Sequence, residues 1–289
     1  MPGRALPDEA LLARLYGAPD QIRRRAVLRE TLSRLEGGGR AHFAACAAAN
    51  VSRWRGTAAR PRPGERLVQV YPGDWGDVTG RLTRAWGTVF AVLNMANAHV
   101  PGGGYVEGLV AQEENLFRRT DCHYAISEAH LAPGSGDRYS AAQTALLSGR
   151  DGRVYLDVST PRVCIRGPED RARPDLGYAW LPDEDVFPFL ELRAAAVDLR
   201  DGAPFNRPEM AHRIAAQLDT LIAGGVRHAV LSAFGCGAFR NPAPEVARLY
   251  QRALAARAAH FDCVAFAIFH AGYGPDNYTP FKAVLDPTG

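Results

Sequence analysis

Apolar residues recur with a helical period over residues 8–36. Leu11, Leu12 and Leu15 precede a break at 17–20, after which Ile22, Val27, Leu28, Leu32 and Leu35 return to one side. Gly37-Gly38-Gly39 ends this second helix as a C-terminal cap and loop. Residues 56–65 (GTAARPRPGE) read as a loop or arm. The pattern therefore predicts a helical N-terminal extension over 1–65 and a main domain over 66–289. In the main domain, short apolar runs predict strands at 66–71, 88–95, 154–158, 163–165, 190–197, 228–234 and 264–270. Amphipathic periodicity predicts helices at 110–120, 208–223 and 244–260. The last two strands bracket a helix, as in a parallel β-α-β unit. Apolar strands between amphipathic helices predict an α/β domain whose sheet is covered on both faces.

Composition narrows the classes without naming one. The chain has 289 residues, 47% hydrophobic and 22% charged, enough for one large α/β domain with an extension or for two small domains, and for a core that needs no disulfide or structural metal. The net charge of +3 argues against a protein that coats nucleic acid, so no direct nucleic-acid binding is expected. Of the 34 basic residues only Lys282 is a lysine, which reads first as codon bias and excludes a Walker-type nucleotide site. Five cysteines, widely spaced and with no C-x-x-C, suit free thiols in a reducing compartment. The N-terminus is polar and no run of about 18 apolar residues occurs, so a cytoplasmic protein with no membrane partner is expected.

The chemistry concentrates in residues 92–120, VLNMANAHVPGGGYVEGLVAQEENLFRRT. A buried strand breaks at 94–99 and is followed by Gly102-Gly103-Gly104, then by Gln112-Glu113-Glu114 at a helix start. Three consecutive glycines lose much backbone entropy, and close backbone approach to a ligand is one reason to place them after a strand. Adjacent carboxylates on a helix point about 100° apart, so both reach one cleft only near the helix start. The helix dipole lowers a carboxylate pKa, whereas burial and a like charge raise it. One member of the pair can thus stay protonated while the other is ionised, the division that glycosidic cleavage uses. A second bend, LSAFGCGAFRNP over 231–242, lies between a strand and a helix, where backbone amides form a phosphate cradle.

The pattern G-G-G-x7-Q-E-E preceded by N-x-A-N-A, together with the second bend, resembles the poly(ADP-ribose) glycohydrolases, most of all the bacterial type. The resemblance implies a macrodomain-like, three-layer α/β/α mixed sheet with an N-terminal helical extension. It implies hydrolysis of the ribose–ribose O-glycosidic bond of poly(ADP-ribose) with release of ADP-ribose. Glu114 would be the general acid and base, and Glu113 would hold ribose hydroxyls on the leaving side. Gly102, Gly103 and Gly104 would lie beside the diphosphate and distal ribose, Asn97 would contact that ribose, and Gln112 joins the substrate-binding set. Gly235, Cys236, Gly237 and Ala238 would wrap the diphosphate, with Phe239 against the distal ribose. Neither metal nor cofactor is implied. The partners would be poly(ADP-ribose) or ADP-ribosylated proteins, in the setting of the DNA damage response.

Several readings stay open at this level. A macrodomain can recognise ADP-ribose without cleaving it, and related enzymes remove single ADP-ribose units from proteins or nucleic acids. Cys236 reads as a small loop residue, and His99, His123 and His130 have no familiar metal-ligand spacing. Arg118 and Arg119 are expected to face solvent or pair with acids. An adenine contact by Phe269 or Tyr273 is allowed by their place after the last strand.

Overall fold

The computed structural model describes residues 3–58, 68–270, 272 and 274–287. Its helices are α1 (Glu9–Leu15), α2 (Pro19–Leu35), α3 (Gly39–Thr57), α4 (Trp75–Trp86), α5 (Gln112–Arg119), α6 (Ala141–Leu147), α7 (Arg207–Ala223), α8 (Ala243–Ala255) and α9 (Tyr278–Leu285). Its strands are β1 (Val68–Pro72), β2 (Phe90–Met95), β3 (Tyr155–Cys164), β4 (Phe187–Ala194), β5 (His228–Leu231) and β6 (Cys263–Ile268). They form one sheet in the order β1-β6-β5-β2-β4-β3, parallel except for β3, which pairs antiparallel with β4 at the edge.

Strand alternation places two apolar cores on opposite faces. Ala91 and Leu93 of β2, Val264 and Phe266 of β6, and Leu192 of β4 join α7, α8 and α9 in one cluster. Their neighbours Phe90, Val92, Ala265 and Phe189 join Leu28 and Leu32 of α2, Val51 and Trp54 of α3, and Leu82 of α4 in the other. The three-layer α/β/α mixed sheet follows from this two-sided burial. α2 and α3 thus share the core of the sheet through the same clusters as α4.

Element boundaries depart from the pattern-based expectations in instructive ways. The segments expected as two strands at 154–158 and 163–165 are the halves of β3, whose register on β4 shifts between Asp157 and Arg162. Asp157 Oδ1 accepts the amides of Ser159 and Thr160 and folds the extra residues into a bulge. β4 runs three residues earlier than expected, because the chain leaves the ladder where Ala195 donates to the Leu147 carbonyl. Of the arm expected at 56–65, Gly56 and Thr57 end α3, and 59–65 lie outside the described residues, as do Arg66 and Leu67 of the first expected strand.

Candidate active site

All five parallel strands point their carboxyl ends to one edge of the sheet, where open α/β sheets bind ligands. β2 and β5 are hydrogen-bonded neighbours in register, Ala91 beside Ala229 and Val92 beside Val230, so the two glycine bends that follow them leave the same edge side by side. β4 borders β2 on its other side, and the Ala96 amide still donates to the Ala194 carbonyl after both strands have ended.

α5 begins at Gln112, and its N-cap position, Ala111, has no side chain to cap the helix. Gln112 ties the helix start to β2: its Nε2 donates to the Leu93 carbonyl at 2.8 Å and its Oε1 accepts from the Met95 amide at 2.9 Å. The amide thereby continues the β2 ladder and sets the rotation of α5 about its axis. That rotation turns Glu113 and Glu114 back toward the preceding loop.

Both carboxyls close on Gly103. Glu114 Oε1 accepts from the Gly104 amide at 2.9 Å, and Glu113 Oε2 accepts from the Asn97 amide at 2.7 Å. A Cβ at position 103 would lie 2.4 Å from Glu114 Oε1 and 3.2 Å from Glu113 Oε2, and Gly103 has φ +56°, so only glycine brings the backbone this close to the pair. Gly102, φ +72°, packs on Tyr105 and Phe117, and a Cβ there would meet the Tyr105 ring at 2.5 Å. Tyr105 is held in turn by the His123 Nδ1 at 2.8 Å, and burial lowers the His123 pKa to about 4, which keeps that imidazole neutral. The third glycine, Gly104, packs against Leu109.

Both carboxylates are removed from water: Glu113 is 3% exposed and Glu114 9%. Burial and the neighbouring Glu114 charge push the Glu113 carboxyl well above its ordinary value, against the Asn97 amide and the Arg193 guanidinium, which favour its ionised form. The residue driven toward the neutral form by its surroundings is therefore Glu113, the member of the pair expected to hold hydroxyls. Glu113 Oε1 and Glu114 Oε2 are buried and have no hydrogen-bond partner among the described residues.

Behind the pair lies a charged network on β4. Arg193 makes a two-pronged contact with Glu191, at 2.7 and 2.9 Å, and both residues are fully buried. Asn94 of β2 donates to Glu191 at 2.9 Å, and Tyr139 accepts from Arg193 at 3.3 Å.

Asn97 shapes the turn after β2 by accepting the His99 and Val100 amides at 2.8 and 2.9 Å, an Asx turn whose side-chain NH2 donates to nothing among the described residues. At the second bend Gly235 has φ +73°, and a Cβ there would meet Ala196 at 2.5 Å. Asn241 pins this bend to the loop after β4 by donating to the Gly235 and Val197 carbonyls at 3.0 and 2.8 Å. The Cys236 side chain is buried in the core, and burial raises its thiol pKa, so this residue faces the edge with backbone alone. Gly237 and Ala238 are exposed, and half-buried Phe239 carries the Arg200 guanidinium 5.2 Å from its ring centre. Phe269 is 50% exposed just past β6 at the same sheet edge, and Tyr273 lies outside the described residues.

Three arginines around the site depart from what the sequence pattern announces. Arg4 donates to the Gly103 carbonyl at 2.7 Å and pairs with Glu107 at 2.8 Å, a brace from the N-terminus that nothing in local periodicity announces. Arg118 and Arg119, expected to face solvent or pair with acids, are both fully buried. Arg119 does pair with an acid, the N-cap Asp74 of α4, and lies over the Trp75 ring. Arg118 makes no ion pair among the described residues and donates to the Leu109 carbonyl at the end of the glycine loop, so the solvent-facing expectation fails because α5 is enclosed by α2, α4 and that loop. Among the described residues no helix is long and apolar enough to cross a membrane.

Comparison with known proteins bears on this geometry. Residues 38–139 match the family described as microbial-type PARG, catalytic domain, a span that contains the first glycine bend and both carboxylates. The fold is similar to that of poly(ADP-ribose) glycohydrolase from Thermomonospora curvata, with a TM-score of 0.61 and 23% identity over 91% of this chain and 99% of that one. The same enzyme bound to the inhibitor ADP-HPD aligns with a TM-score of 0.59 and 24% identity over 89% and 97%. Poly(ADP-ribose) glycohydrolase from Deinococcus radiodurans, in complex with ADP-ribose, aligns with a TM-score of 0.55 and 22% identity over 84% and 92%. No functionally curated protein matches the chain by sequence. The chain thus matches the microbial-type PARG catalytic-domain model over the residues that form the carboxylate site, and it shares the fold of the bacterial poly(ADP-ribose) glycohydrolases over nine-tenths of its length.

Proposed function

We propose that the protein hydrolyses the ribose–ribose O-glycosidic bond of poly(ADP-ribose) and releases ADP-ribose. The observation that carries this reading is the packing of two buried carboxyls against the Gly103 backbone, each with one oxygen fixed by a loop amide and one left free. Two desolvated carboxylates side by side are costly unless one carries a proton, and a proton held there is available to a leaving oxygen. A domain that only recognised ADP-ribose would gain nothing from that arrangement.

In this reading Glu114, the more accessible of the pair, acts as acid and then base. Substrate excludes the remaining water, and the proton of the pair is drawn to Glu114 Oε2, which faces the glycosidic oxygen. The proton passes to the 2′-oxygen of the leaving ribose as the bond from that oxygen to the anomeric carbon breaks. The ribose that keeps the anomeric carbon develops positive charge, which the adjacent diphosphate offsets. Ionised Glu114 then takes a proton from water, whose oxygen bonds to the anomeric carbon. Glu113 orients the ribose hydroxyls of the leaving side. Gln112 acts on substrate indirectly, by fixing the helix start.

The remaining contacts are assigned on position. The Asn97 NH2 meets distal ribose hydroxyls, the amides of 102–104 and 235–238 line the diphosphate, and Phe239 packs on the distal ribose. Exposed Phe269 offers a face to adenine. Residues 1–65 serve as an extension whose Arg4 braces the glycine bend of the catalytic domain over 66–289. ADP-ribosylated proteins are the natural carriers of the substrate, in the cytoplasm and as part of a response to DNA damage.

The test is digestion of poly(ADP-ribose) with products separated by chromatography, alongside calorimetry with ADP-ribose. Release of ADP-ribose by the native protein, abolished in Glu114→Gln with binding retained, is the expected result. Binding without release by the native protein would make it a recognition module. Cleavage confined to singly modified substrates would move the activity to another linkage.

A further inference from the structure

A second set of chemically competent side chains lies at the opposite end of β4 from the carboxylate pair. His42 and Cys46 stand one helical turn apart on α3, and Asp183 comes from the short turn Asp183–Asp185 that leads into β4. His42 Nε2 is 3.0 Å from Asp183 Oδ2 and 3.6 Å from Cys46 Sγ, and the three donor atoms all lie within 4.8 Å of one another. Among the described residues this is the one group of three His, Cys, Asp or Glu side chains gathered so closely.

We propose that His42, Cys46 and Asp183 form a binding site for a borderline-soft divalent cation of the zinc class. Tetrahedral zinc with bonds of about 2.0–2.3 Å sets its donor atoms about 3.3–3.7 Å apart, so the His–Asp and His–Cys separations need change by only a few tenths of an ångström. An imidazole, a thiolate and a carboxylate are the donor types this ion takes, and three protein ligands leave a fourth position to water. On binding, the Cys46 thiol gives its proton to solvent as the metal–sulfur bond forms, and the carboxylate and thiolate together balance the dication.

The same stripe of α3 that carries two of the ligands also holds the turn that carries the third. Asn50 donates to the Asp183 and Val186 carbonyls at 2.7 and 2.8 Å, and Arg53 donates to the Glu184 carbonyl at 2.7 Å. His42, Cys46, Asn50 and Arg53 thus lie on one face of the helix, and the backbone of the turn is anchored before any ion arrives. The acidic run Asp183-Glu184-Asp185 adds a field that favours a cation. Cys46 is also the only cysteine that is not buried, the other four being enclosed in the cores. β4 is eight residues long, so the site stands about 25 Å from the sheet edge that bears the carboxylates. It would fasten α3 to the turn before β4 and take no part in the reaction.

The test titrates the metal-free full-length chain with Co2+ under reducing conditions. One equivalent should produce a thiolate-to-cobalt charge-transfer absorption and the intense visible bands of a tetrahedral site, both displaced by Zn2+. Cys46→Ser should remove the charge-transfer absorption, and His42→Gln and Asp183→Asn should each weaken Co2+ binding by more than about tenfold. As a second readout, a thiol reagent should label one cysteine in the native chain, at a rate that Zn2+ slows at least about tenfold. Weak absorption of octahedral type, Co2+ affinity unchanged in Cys46→Ser, or labelling indifferent to Zn2+ would each overturn the proposal. The ligand side chains are exposed or half-buried, so the variants keep the fold, which a thermal melt without metal verifies.

Discussion

Replacing Gly103 with alanine separates the two things this glycine does. The first is to adopt φ +56°, which costs an alanine about 1–2 kcal/mol. The second is to leave room for the carboxyls: the added methyl would sit 2.4 Å from Glu114 Oε1 and 3.1 Å from its Cδ. Comfortable contact begins near 3.4 Å, so the carboxyl must withdraw by about 1 Å and give up the Gly104 amide. If Glu114 is the acid proposed above, a displacement of that size lowers turnover by about 100-fold. The lost charge-assisted hydrogen bond and the backbone strain together lower stability by about 2.5–5 kcal/mol. Gly37→Ala supplies the control, because Gly37 has φ +57° and nothing lies within 4 Å of the added methyl. It carries the backbone cost without touching the site. The assay is initial-rate release of ADP-ribose from poly(ADP-ribose), with thermal melts of both variants. Turnover in Gly103→Ala within about twofold of that in Gly37→Ala would refute the view that the glycine exists to admit the carboxyl pair.

Four further outcomes follow from the geometry. Glu114→Gln should lower turnover by about 10²–10⁴-fold while calorimetry finds ADP-ribose binding intact, because only proton transfer is removed. Glu113→Gln should be more stable than the native protein at high pH: the Glu113 pKa is raised from its ordinary 4.5, so its contribution is fully present below that pH and lost as pH rises through the folded value. The difference in melting temperature should vanish below about pH 4.5 and grow above it, and a difference independent of pH would contradict the assignment. Gln112→Glu retains the acceptor for Met95 but sets an oxygen against the Leu93 carbonyl, and should cost about 2–4 kcal/mol in urea unfolding. Arg4→Ala removes the brace on the Gly103 carbonyl, so amide hydrogen exchange at 102–104 should quicken, by the equivalent of about 1.5–3 kcal/mol, with little change in the sheet.

Much of the layered fold could be read from periodicity, and its failures have physical causes. β2, β5 and β6 are apolar runs buried on both faces, and α2, α5, α7 and α8 fall close to where their apolar stripes predict. α3 falls within the expected helical extension but is not delimited by the pattern, and α4 is not predicted, although each has a stripe: Phe43, Ala47, Val51 and Trp54 in the first, Trp75, Val78 and Leu82 in the second. The alanine-rich sequence of α3 dilutes its stripe. For α4, the Asp74 side chain that caps the start and Gly87 at the end, φ +58°, were the available signals.

The sequence alone determined that a glycine bend, a helix start and two adjacent carboxyls follow one buried strand, since these are short-range facts of spacing and backbone freedom. Only the tertiary structure decided which carboxyl is driven toward neutrality, because desolvation depends on everything packed around a group and not on its neighbours in the chain. It also decided that Gln112 braces the helix, that Arg4 reaches the bend from 99 residues away, and that His42 and Cys46 meet Asp183 across 141 and 137 positions. Such contacts are selected by the closure of the whole core, and no local pattern encodes them.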